Sequence, residues 1–254
     1  MPLKLMRGRY GVRFADGDAD VKAAQRLRHK VFIADRQLDG GKMVATNALD
    51  ADSFDENCDH CLIEERKSGE LVCCFRMMTL KSGAEIERSY SAQYYELSAL
   101  QEIEGPIVEM GRFCIHPQNR NADVLRIAWA AMTKYVDDRG VELLFGCSSF
   151  EGNDGQSYAD AFTLLQERHL APKRWLPRPK APKIFNFGTL FKLRCPNTAK
   201  AMRMMPPLLR GYLSLGGWVS DHAVIDSDLN TLHVFTGLEI KRVPRSRARL
   251  LRQA

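Results

Sequence analysis

A carboxylate and a guanidinium interrupt an apolar run that the sequence predicts to be a buried strand. The run is Ile107–Ile115, rich in β-branched residues, and it contains Glu109 and Arg112. Removing an ionised side chain from water is costly unless it is paired, so both residues must either pair or face a cleft that water reaches. Because desolvation raises the pKa of a carboxyl group, Glu109 is a candidate general base; a close pairing with Arg112 would oppose that shift.

A second set of charges lies on a predicted helix. Residues 21–34 read as helical, and the helix is expected to begin near Asp18 or Asp20, whose side chain can accept hydrogen bonds from the first-turn N–H groups. Arg28 and Phe32 are four residues apart and therefore share one face.

Two further segments carry isolated charges. Residues 52–60 form an acidic, loop-like stretch that contains Asp52 and Asp55, and a solvated loop would also explain it. Residues 71–78 form an apolar strand that Arg76 alone interrupts. Isolated charges of this kind suit a site that binds an amine or transfers an acyl group.

The order of these residues along the chain is more specific than any one of them. The positions concerned are Gln25, Leu27, Arg28, Val31, Phe32, Asp52, Asp55, Asp59, His60, Phe75, Arg76, Glu109, Gly111, Arg112, Phe113, Ile115, His116 and Pro117, followed by segments 144–150, 205–216 and 226–231. This ordered set resembles the ornithine acyl-ACP N-acyltransferases of bacterial aminolipid synthesis. That family belongs to the acetyltransferase-like (GNAT) superfamily and is similar to the acyl-homoserine-lactone synthases.

The resemblance implies direct acyl transfer to an amine, without an acyl-enzyme intermediate. Glu109 would take the amine proton, directly or through a water, and backbone N–H groups of its strand would bind the oxyanion. Arg112 would hold the α-carboxylate of the acceptor or the pantetheine arm of the donor by a bidentate contact.

Substrate binding is assigned on the same resemblance. The residues concerned are Arg28, Phe32, Asp52, Asp55, Arg76 and Ser149. The two aspartates would receive the cationic side-chain amine of ornithine, while one of the two arginines orders the surrounding loop.

The loop at residues 116–123 is where an acetyltransferase fold would hold the phosphate of its donor, since helix N-termini attract anions. It contains no glycine, and Arg120 and Asn121 are the candidate phosphate-binding residues. The missing glycine-rich loop favours the single phosphate of an acyl carrier protein over the pyrophosphate of coenzyme A. The alternative interpretation is a simple helix cap.

Positive charge is concentrated late in the chain. Lys and Arg number 37 against 31 Asp and Glu, and Lys173–Arg194, within an aromatic segment at 172–195, carries no acidic residue. Four prolines predict that this segment begins extended or turning. The basic tail at 241–254 is expected to be disordered. By composition alone, this basic aromatic surface is suited equally to bind an acidic carrier protein, anionic lipid headgroups or RNA.

The predicted elements alternate between strand and helix. They are strands over 10–15, 61–65, 71–80, 107–115 and 142–145, with a hairpin turn at Ser68–Gly69 and a helix over 123–138 that ends near Gly140. This order predicts an α/β fold of the mixed α+β kind: a GNAT-like twisted mixed sheet flanked by helices, with residues 1–240 forming a single domain.

Composition limits the other possibilities. Seven cysteines without a regular framework argue against a secreted disulfide scaffold, and Cys58–Cys61 offers only half of a zinc site, so no metal and no bound cofactor are expected. No stretch is long and apolar enough to span a bilayer, and no secretory leader is recognisable. We therefore expect a cytoplasmic protein, peripheral on the inner membrane.

The predicted function is an N-acyltransferase that moves a 3-hydroxylated fatty acyl group from the 4′-phosphopantetheine of acyl carrier protein to the α-amine of ornithine, which yields lyso-ornithine lipid. One alternative keeps the donor and uses glutamine or another amino acid, or S-adenosylmethionine as in a homoserine-lactone synthase. A different class of protein, a non-enzymatic basic module that binds RNA or membrane, would not need charges inside strands. For the enzyme we expect no nucleic-acid partner.

Overall fold

The computed structural model describes residues 5–34 and 49–252. The strands of this part of the chain are β1 Leu5–Arg7, β2 Tyr10–Phe14, β3 Asp59–Glu65, β4 Leu71–Leu80, β5 Tyr95–Glu96, β6 Ile107–Ile115, β7 Leu143–Glu151, β8 Arg178–Pro179, β9 Ile184–Phe185, β10 Trp218–Asp226 and β11 Thr231–Glu239. Its α-helices are α1 Asp18–His29, α2 Ala122–Arg139, α3 Ala159–Arg168, α4 Phe187–Leu190, α5 Thr198–Met204, α6 Pro207–Ser214 and α7 Arg245–Arg252.

The chain divides into two compact units. The first comprises Met1–Thr79, Met110–Arg139 and Arg249–Ala254, and the second comprises Leu80–Glu109 and Gly140–Ala248. Strand β6 therefore contributes its first three residues to the second unit and the rest to the first. The single domain expected for residues 1–240 stays a prediction.

The first unit is built on a sheet in the order β1-β2-β3-β4-β6, in which β1 to β4 pair antiparallel. The predicted hairpin of β3 and β4 is confirmed. Gly69 in its turn has φ 72°, in the left-handed region that glycine adopts without strain. Strand β3 begins at Asp59, two residues before the predicted start, so the acidic segment runs directly into the sheet.

Helix α1 begins where the sequence predicts, but the predicted cap is wrong. Gly17 precedes the helix without any side-chain cap. Asp20 instead pairs with Arg13, Nη2 to Oδ1 at 2.8 Å, and accepts a hydrogen bond from the N–H of Asp16. Beyond His29 the helix continues as a π-helical turn, Lys30–Ala34, which is an uncommon conformation often found near functional sites.

One apolar cluster packs α1 against the sheet of the first unit. Its buried members are Ala24, Leu27, Leu62, Cys74 and Cys114. Burial of each of the two leucines stabilises the fold by about 1.5–3 kcal/mol. This packing fixes the helix face that carries the charged residues.

The second unit is built on the order β6-β7-β11-β10-β9, and it makes the sheet mixed as predicted. Strands β6 and β7 are parallel, with Glu109 opposite Phe145, while β7, β11 and β10 are antiparallel. A large apolar cluster from this sheet and helices α3 to α6 covers one face. Because side chains alternate along a strand, Glu109, Cys147 and His233 share the opposite face.

The basic C-terminal segment is helical rather than disordered. A short 3₁₀ helix, Ile240–Arg242, precedes α7, and Arg252 pairs with Asp137, Nε to Oδ2 at 2.7 Å. None of the helices within residues 5–34 and 49–252 combines the length and the apolar composition that a bilayer crossing requires.

Candidate active site

Six charged side chains of the first unit form one ion-pair network. They are Arg28 on α1, Asp50 just before the acidic segment at 52–60, Asp52 and Asp55 within it, Arg76 on β4 and Arg112 on β6. Helix α1 and strands β4 and β6 supply the cations, and the segment before β3 supplies the anions. The network therefore joins the acidic segment to the framework of this unit.

Asp55 lies at the centre of the network. Its carboxylate accepts hydrogen bonds from Arg28 Nη1 at 2.7 Å, Arg76 Nη1 at 2.6 Å and Gln25 Nε2 at 2.9 Å. Burial acts to raise the pKa of Asp55, but the hydrogen bonds from Arg28 and Gln25 outweigh it and hold the pKa well below its ordinary value. Because its pKa is lowered, the Asp55 carboxylate is ionised although only 8% of the residue is exposed.

Asp52 is the more accessible carboxylate. Arg76 binds it with both terminal nitrogens, at 2.6 and 2.9 Å, and Arg112 Nη2 lies 3.2 Å from Oδ2. Burial acts to raise the pKa of Asp52, but the hydrogen bond and charge of Arg76 outweigh it and leave the pKa lowered. About a quarter of this side chain, 24%, remains exposed.

Asp50 ties two of the arginines together. Its Oδ2 accepts a hydrogen bond from Arg28 Nε at 2.8 Å and lies 3.2 Å from Arg112 Nε. Burial would lower the pKa of Arg28, yet the hydrogen bonds that it donates to Asp55 and Asp50, and the charges of these carboxylates, raise it above its ordinary value. The three guanidiniums thus balance three carboxylates, and each carboxylate predicted to receive an amine already has guanidinium partners.

Arg112 departs from regular strand geometry. Its φ is 52°, a left-handed conformation that is uncommon for any residue other than glycine. Such positions cost about 1–3 kcal/mol and persist where the surroundings hold them, as the pairs with Asp50 and Asp52 do here. The irregularity turns backbone groups of β6 out of the regular pleat.

Glu109 is held in the second unit by donors from one short segment. Oε2 accepts the N–H of Tyr90 at 2.8 Å, and Oε1 accepts the N–H and the hydroxyl of Ser91 at 2.7 and 2.5 Å. Glu109 is 5% exposed, and Ser91 is fully buried at the start of a 3₁₀ helix, Ser91–Gln93. The carboxylate is therefore fixed in position and solvated by protein donors.

A polar and aromatic cluster continues on the same sheet face. The hydroxyl of Ser91 lies 3.4 Å from the Cys147 thiol. Tyr95 donates to the carbonyl of His233 at 2.7 Å, and its oxygen is 3.2 Å from the Nδ1 of that imidazole. Burial lowers the pKa of His233 to about 4, so this imidazole is neutral near pH 7.

The remaining predicted site residues differ in their surroundings. Phe32 packs against the apolar cluster beneath α1. Ser149 is exposed on β7 and pairs with His233 in the sheet, so it lies on the same sheet face as Glu109 and Cys147. The side-chain oxygen of Asn121 accepts the N–H groups of Asp123 and Val124, each at 3.1 Å, so Asn121 caps α2.

The cap leaves the donor-phosphate role of Asn121 and of its exposed neighbour Arg120 as a prediction. The substrate-binding roles of Phe32 and Ser149 likewise stay predictions. Within the described ranges, no group of three or more His, Cys, Asp or Glu side chains is placed to hold a metal ion.

Four residues that hold the charged groups were not assigned from the sequence. Asp50 and Gln25 complete the network, and Tyr90 and Ser91 hold Glu109. The sequence could have indicated Gln25, because it lies three residues before Arg28 on the same helix face. It could not have indicated Ser91, because a 3₁₀ turn leaves no periodic pattern.

Comparison with known proteins shows the family to which the chain belongs. Residues 27–130 match the family described as the acetyltransferase (GNAT) domain. An L-ornithine N(alpha)-acyltransferase from Rhodobacter capsulatus is 33% identical over 230 residues, which are 89% of this chain and 88% of that protein. One from Brucella abortus is 30% identical over 250 residues, 94% of this chain and 88% of that protein.

Solved structures are more distant. A structure of a CoA-dependent acyl-homoserine lactone synthase, BjaI, with SAM and isopentyl-CoA, covers 92% of this chain and 82% of its own at 13% identity and a TM-score of 0.47.

The mixed sheet and the match over residues 27–130 define an acyltransferase with a GNAT fold. The similarity at 30% identity and above extends well beyond that region. The chain belongs to the L-ornithine N(alpha)-acyltransferase family, which confirms the resemblance noted from its residues.

Proposed function

We propose that this enzyme transfers a 3-hydroxylated fatty acyl group from acyl carrier protein to the α-amine of ornithine. The assignment of ornithine as the acceptor rests on the near-full-length similarity to enzymes named L-ornithine N(alpha)-acyltransferase. The product would be lyso-ornithine lipid, a single acyl chain on an amino-acid headgroup. No bound cofactor takes part, because the donor thioester supplies the activated acyl group.

Two features support acyl carrier protein as the donor: the loop before α2 and the net positive charge of the chain. Residues 116–123 contain no glycine, and Asn121 already occupies two of the first N–H groups of the helix. Little of the backbone is left to bind a pyrophosphate, whereas one phosphate of a pantetheine arm needs fewer donors. The net charge of +6 favours encounter with an acidic carrier protein.

The reaction forms a C–N bond and breaks a C–S bond. The acceptor amine must be neutral to attack, and the nitrogen loses a proton as the tetrahedral intermediate forms. We assign that proton to Glu109, directly or through a water, and Glu109 then returns it to the departing pantetheine thiolate, which restores the carboxylate. The irregular backbone around Arg112 is the proposed source of the N–H groups that stabilise the oxyanion.

The roles in acceptor binding follow from exposure. Asp55 is enclosed by three donor side chains, whereas Asp52 keeps about a quarter of its side chain in contact with solvent. We therefore propose Asp52 as the group that receives the side-chain amine of ornithine. Arg112, 16% exposed, is proposed to bind the α-carboxylate, while Arg28 and Arg76 hold the acidic segment in place.

The acceptor is tested by identifying the product. Purified protein is incubated with 3-hydroxyacyl carrier protein and, separately, ornithine, lysine, glutamine and S-adenosylmethionine, and the products are analysed by mass spectrometry. N-acyl-ornithine is expected. Turnover with another acceptor alone would correct the substrate, and no product with any amine would contradict the enzyme function and favour a basic binding module.

The base is tested with Glu109→Gln. We expect turnover to fall by about 10²–10⁴-fold with little change in the KM for the donor, because only the proton-transfer step loses its base. The substituted amide would turn an NH₂ group toward one of the donors at 90–91, so the thermal midpoint of the variant must be measured as well.

Ser91→Ala is the companion variant, since it removes one donor to Glu109 and leaves the carboxylate in place. It should give a smaller fall in kcat and a shifted pH profile. Near-normal turnover of a folded Glu109→Gln variant would remove Glu109 as the base.

A further inference from the structure

The second unit contains a long stretch without acidic residues. From Arg168 to Ser220 the chain has 53 residues with no Asp or Glu and with eleven Lys or Arg. Runs of this length seldom lack one sign of charge entirely in a protein whose overall charged fraction is 27%. The stretch therefore contributes only positive charge to its surface, although some of its cations, such as Arg178 and Lys180, pair with carboxylates from other segments.

Within this stretch, large apolar side chains face outward. Leu193 is 97% exposed, Leu190 58% and Met202 41%, which makes them three of the most exposed large hydrophobic residues among those described. Their neighbours Phe191 and Ala201 are buried in the apolar cluster of the same unit. Leu190 ends α4, Leu193 lies in the turn after it and Met202 lies in α5, so the exposed side chains belong to elements that are anchored in the packed unit.

Asp160 on α3 contacts both the turn after α4 and helix α5. Its carboxylate lies 3.2 Å from Arg194 Nη2 and 3.3 Å from Lys200 Nζ, and it accepts the N–H of Asn197 at 3.1 Å. Residue 194 adjoins Leu193, and residue 200 lies two positions before Met202. The turn after α4 and helix α5 are therefore fastened side by side.

We propose that this surface docks on an anionic lipid bilayer. The surface, which we name the α4–α5 patch, consists of Leu190, Leu193 and Met202 with the flanking cations Lys192, Arg203 and Arg210. Leu193 would enter the acyl boundary of the leaflet, and the adjacent cations would lie at the headgroups. Exposed aliphatic side chains among cations are the composition of interfacial membrane contacts.

An acidic protein partner is the less favoured occupant. Charge alone would serve such a partner, and charge does not account for a leucine that is almost wholly exposed between two basic residues. A bilayer uses both features, because apolar burial and attraction to anionic headgroups add.

The proposal is tested by vesicle flotation without any substrate, so its outcome is independent of the proposed acyl transfer. The vesicles contain phosphatidylglycerol and phosphatidylethanolamine, or phosphatidylcholine alone. We expect binding to the anionic vesicles, weaker binding as salt is raised, and little binding to phosphatidylcholine. The double variant Leu190→Glu/Leu193→Glu should reduce the bound fraction at least tenfold.

Matched controls are present in the chain. Met6 is 69% exposed on β1, so Met6→Glu makes the same kind of change elsewhere and should leave vesicle binding unaltered. Lys192→Gln/Arg203→Gln should weaken binding mainly at low salt, whereas Arg126→Gln on the exposed side of α2 should not. All of these side chains are exposed, and thermal midpoints near that of the parent protein would show that each variant folds.

Cys195 gives a local readout. It is the one cysteine of the seven that is exposed, and it follows Arg194 directly, so a polarity-sensitive dye can be attached beside the patch. A blue shift of the dye on adding anionic vesicles is expected. Undiminished flotation of the Leu190→Glu/Leu193→Glu variant would overturn the proposal. If that variant also lost binding to acyl carrier protein, the patch would be assigned to the carrier instead.

Discussion

Asp55 shows how buried charge is used at the scale of single residues. Its carboxylate joins α1 and β4 through two guanidiniums, and all three groups are nearly inaccessible to solvent. A buried pair of this kind adds little net stability over an apolar replacement, but removing one partner strands the other charge. We therefore expect the main role of Asp55 to be structural: it stabilises the site, and contact with a substrate is secondary.

Comparing Asp55→Asn with Asp52→Asn separates those two roles. Asp55→Asn should lower the free energy of unfolding by about 3–5 kcal/mol, because Arg28 loses its main buried partner. Asp52→Asn should cost less stability, since that side chain is partly solvated, and should raise the KM for ornithine. Urea unfolding and steady-state kinetics measure the two effects. Equal loss of stability in both variants, with unchanged KM, would refute the separate roles.

The sequence shows which residues are charged, but not which of them pair. Three arginines and three aspartates allow several pairings, and only the fold brings Asp50 between Arg28 and Arg112. The isolated charges in apolar strands were visible because they break a pattern. The donors to Glu109 were not, because they come from a turn 18 positions earlier in the chain.

At the scale of elements, the segment between β4 and β6 depends on close backbone contacts. It is built from short 3₁₀ helices, and Gly83 at the start of one of them donates to the carbonyl of Ile103 at 2.8 Å. A Cβ at Gly83 would lie 1.9 Å from the carbonyl oxygen of Leu100, which is backbone and cannot rotate away. This segment includes the donors that fix Glu109.

Gly83→Ala should therefore destabilise the protein and reduce turnover together. We expect a loss of about 1–3 kcal/mol, the usual cost of forcing extra atoms into a packed site. The control is Gly11→Ala on β2, where the nearest atom to the new Cβ would be Arg66 Cγ at 3.7 Å, so little change is expected. Thermal unfolding of both variants measures the difference, and equal midpoints would contradict the close approach at Gly83.

Some long elements were predicted, whereas strands β10 and β11, with nine residues each, and helix α3 were not. Strand β6 and the hairpin of β3 and β4 follow from runs of apolar residues with turn signals between them. Helix α2 was predicted within one residue at each end, because Gly140 with φ 59° ends it. Strands β8 and β9 have two residues each, too few for any period, and α7 was missed because its arginines resemble a solvated tail.

For the molecule as a whole, the buried His233 predicts a loss of stability in mild acid. Burial holds its pKa near 4 in the folded protein, against about 6.5 when the chain is unfolded. The unfolded chain therefore binds the proton first, and stability that is complete above pH 6.5 falls as the pH drops toward 4. The loss should reach roughly 3 kcal/mol. The lowered pKa values of Asp52 and Asp55 add to this loss only below about pH 5, where the unfolded chain begins to bind protons at its carboxylates while the folded protein does not.

His233→Gln should flatten that dependence. Urea unfolding at pH 7, 5.5 and 4.5 should show a steep decline for the parent protein and a shallower one for the variant, even if the variant is less stable at pH 7. His169→Gln is the control, because that imidazole is only half-buried and its pKa is lowered less. The same slope in His233→Gln and the parent protein would show that His233 does not titrate as proposed.

The most direct test of the central claim is a single-turnover measurement. Excess enzyme is mixed with 3-hydroxyacyl carrier protein and ornithine, the reaction is quenched at intervals, and tandem mass spectrometry locates the acyl group on the product. We predict that acyl-ornithine forms on the α-nitrogen at a rate that folded Glu109→Gln reduces by about 10²–10⁴-fold. Acylation of the side-chain nitrogen, or an unchanged rate in the variant, would contradict the account.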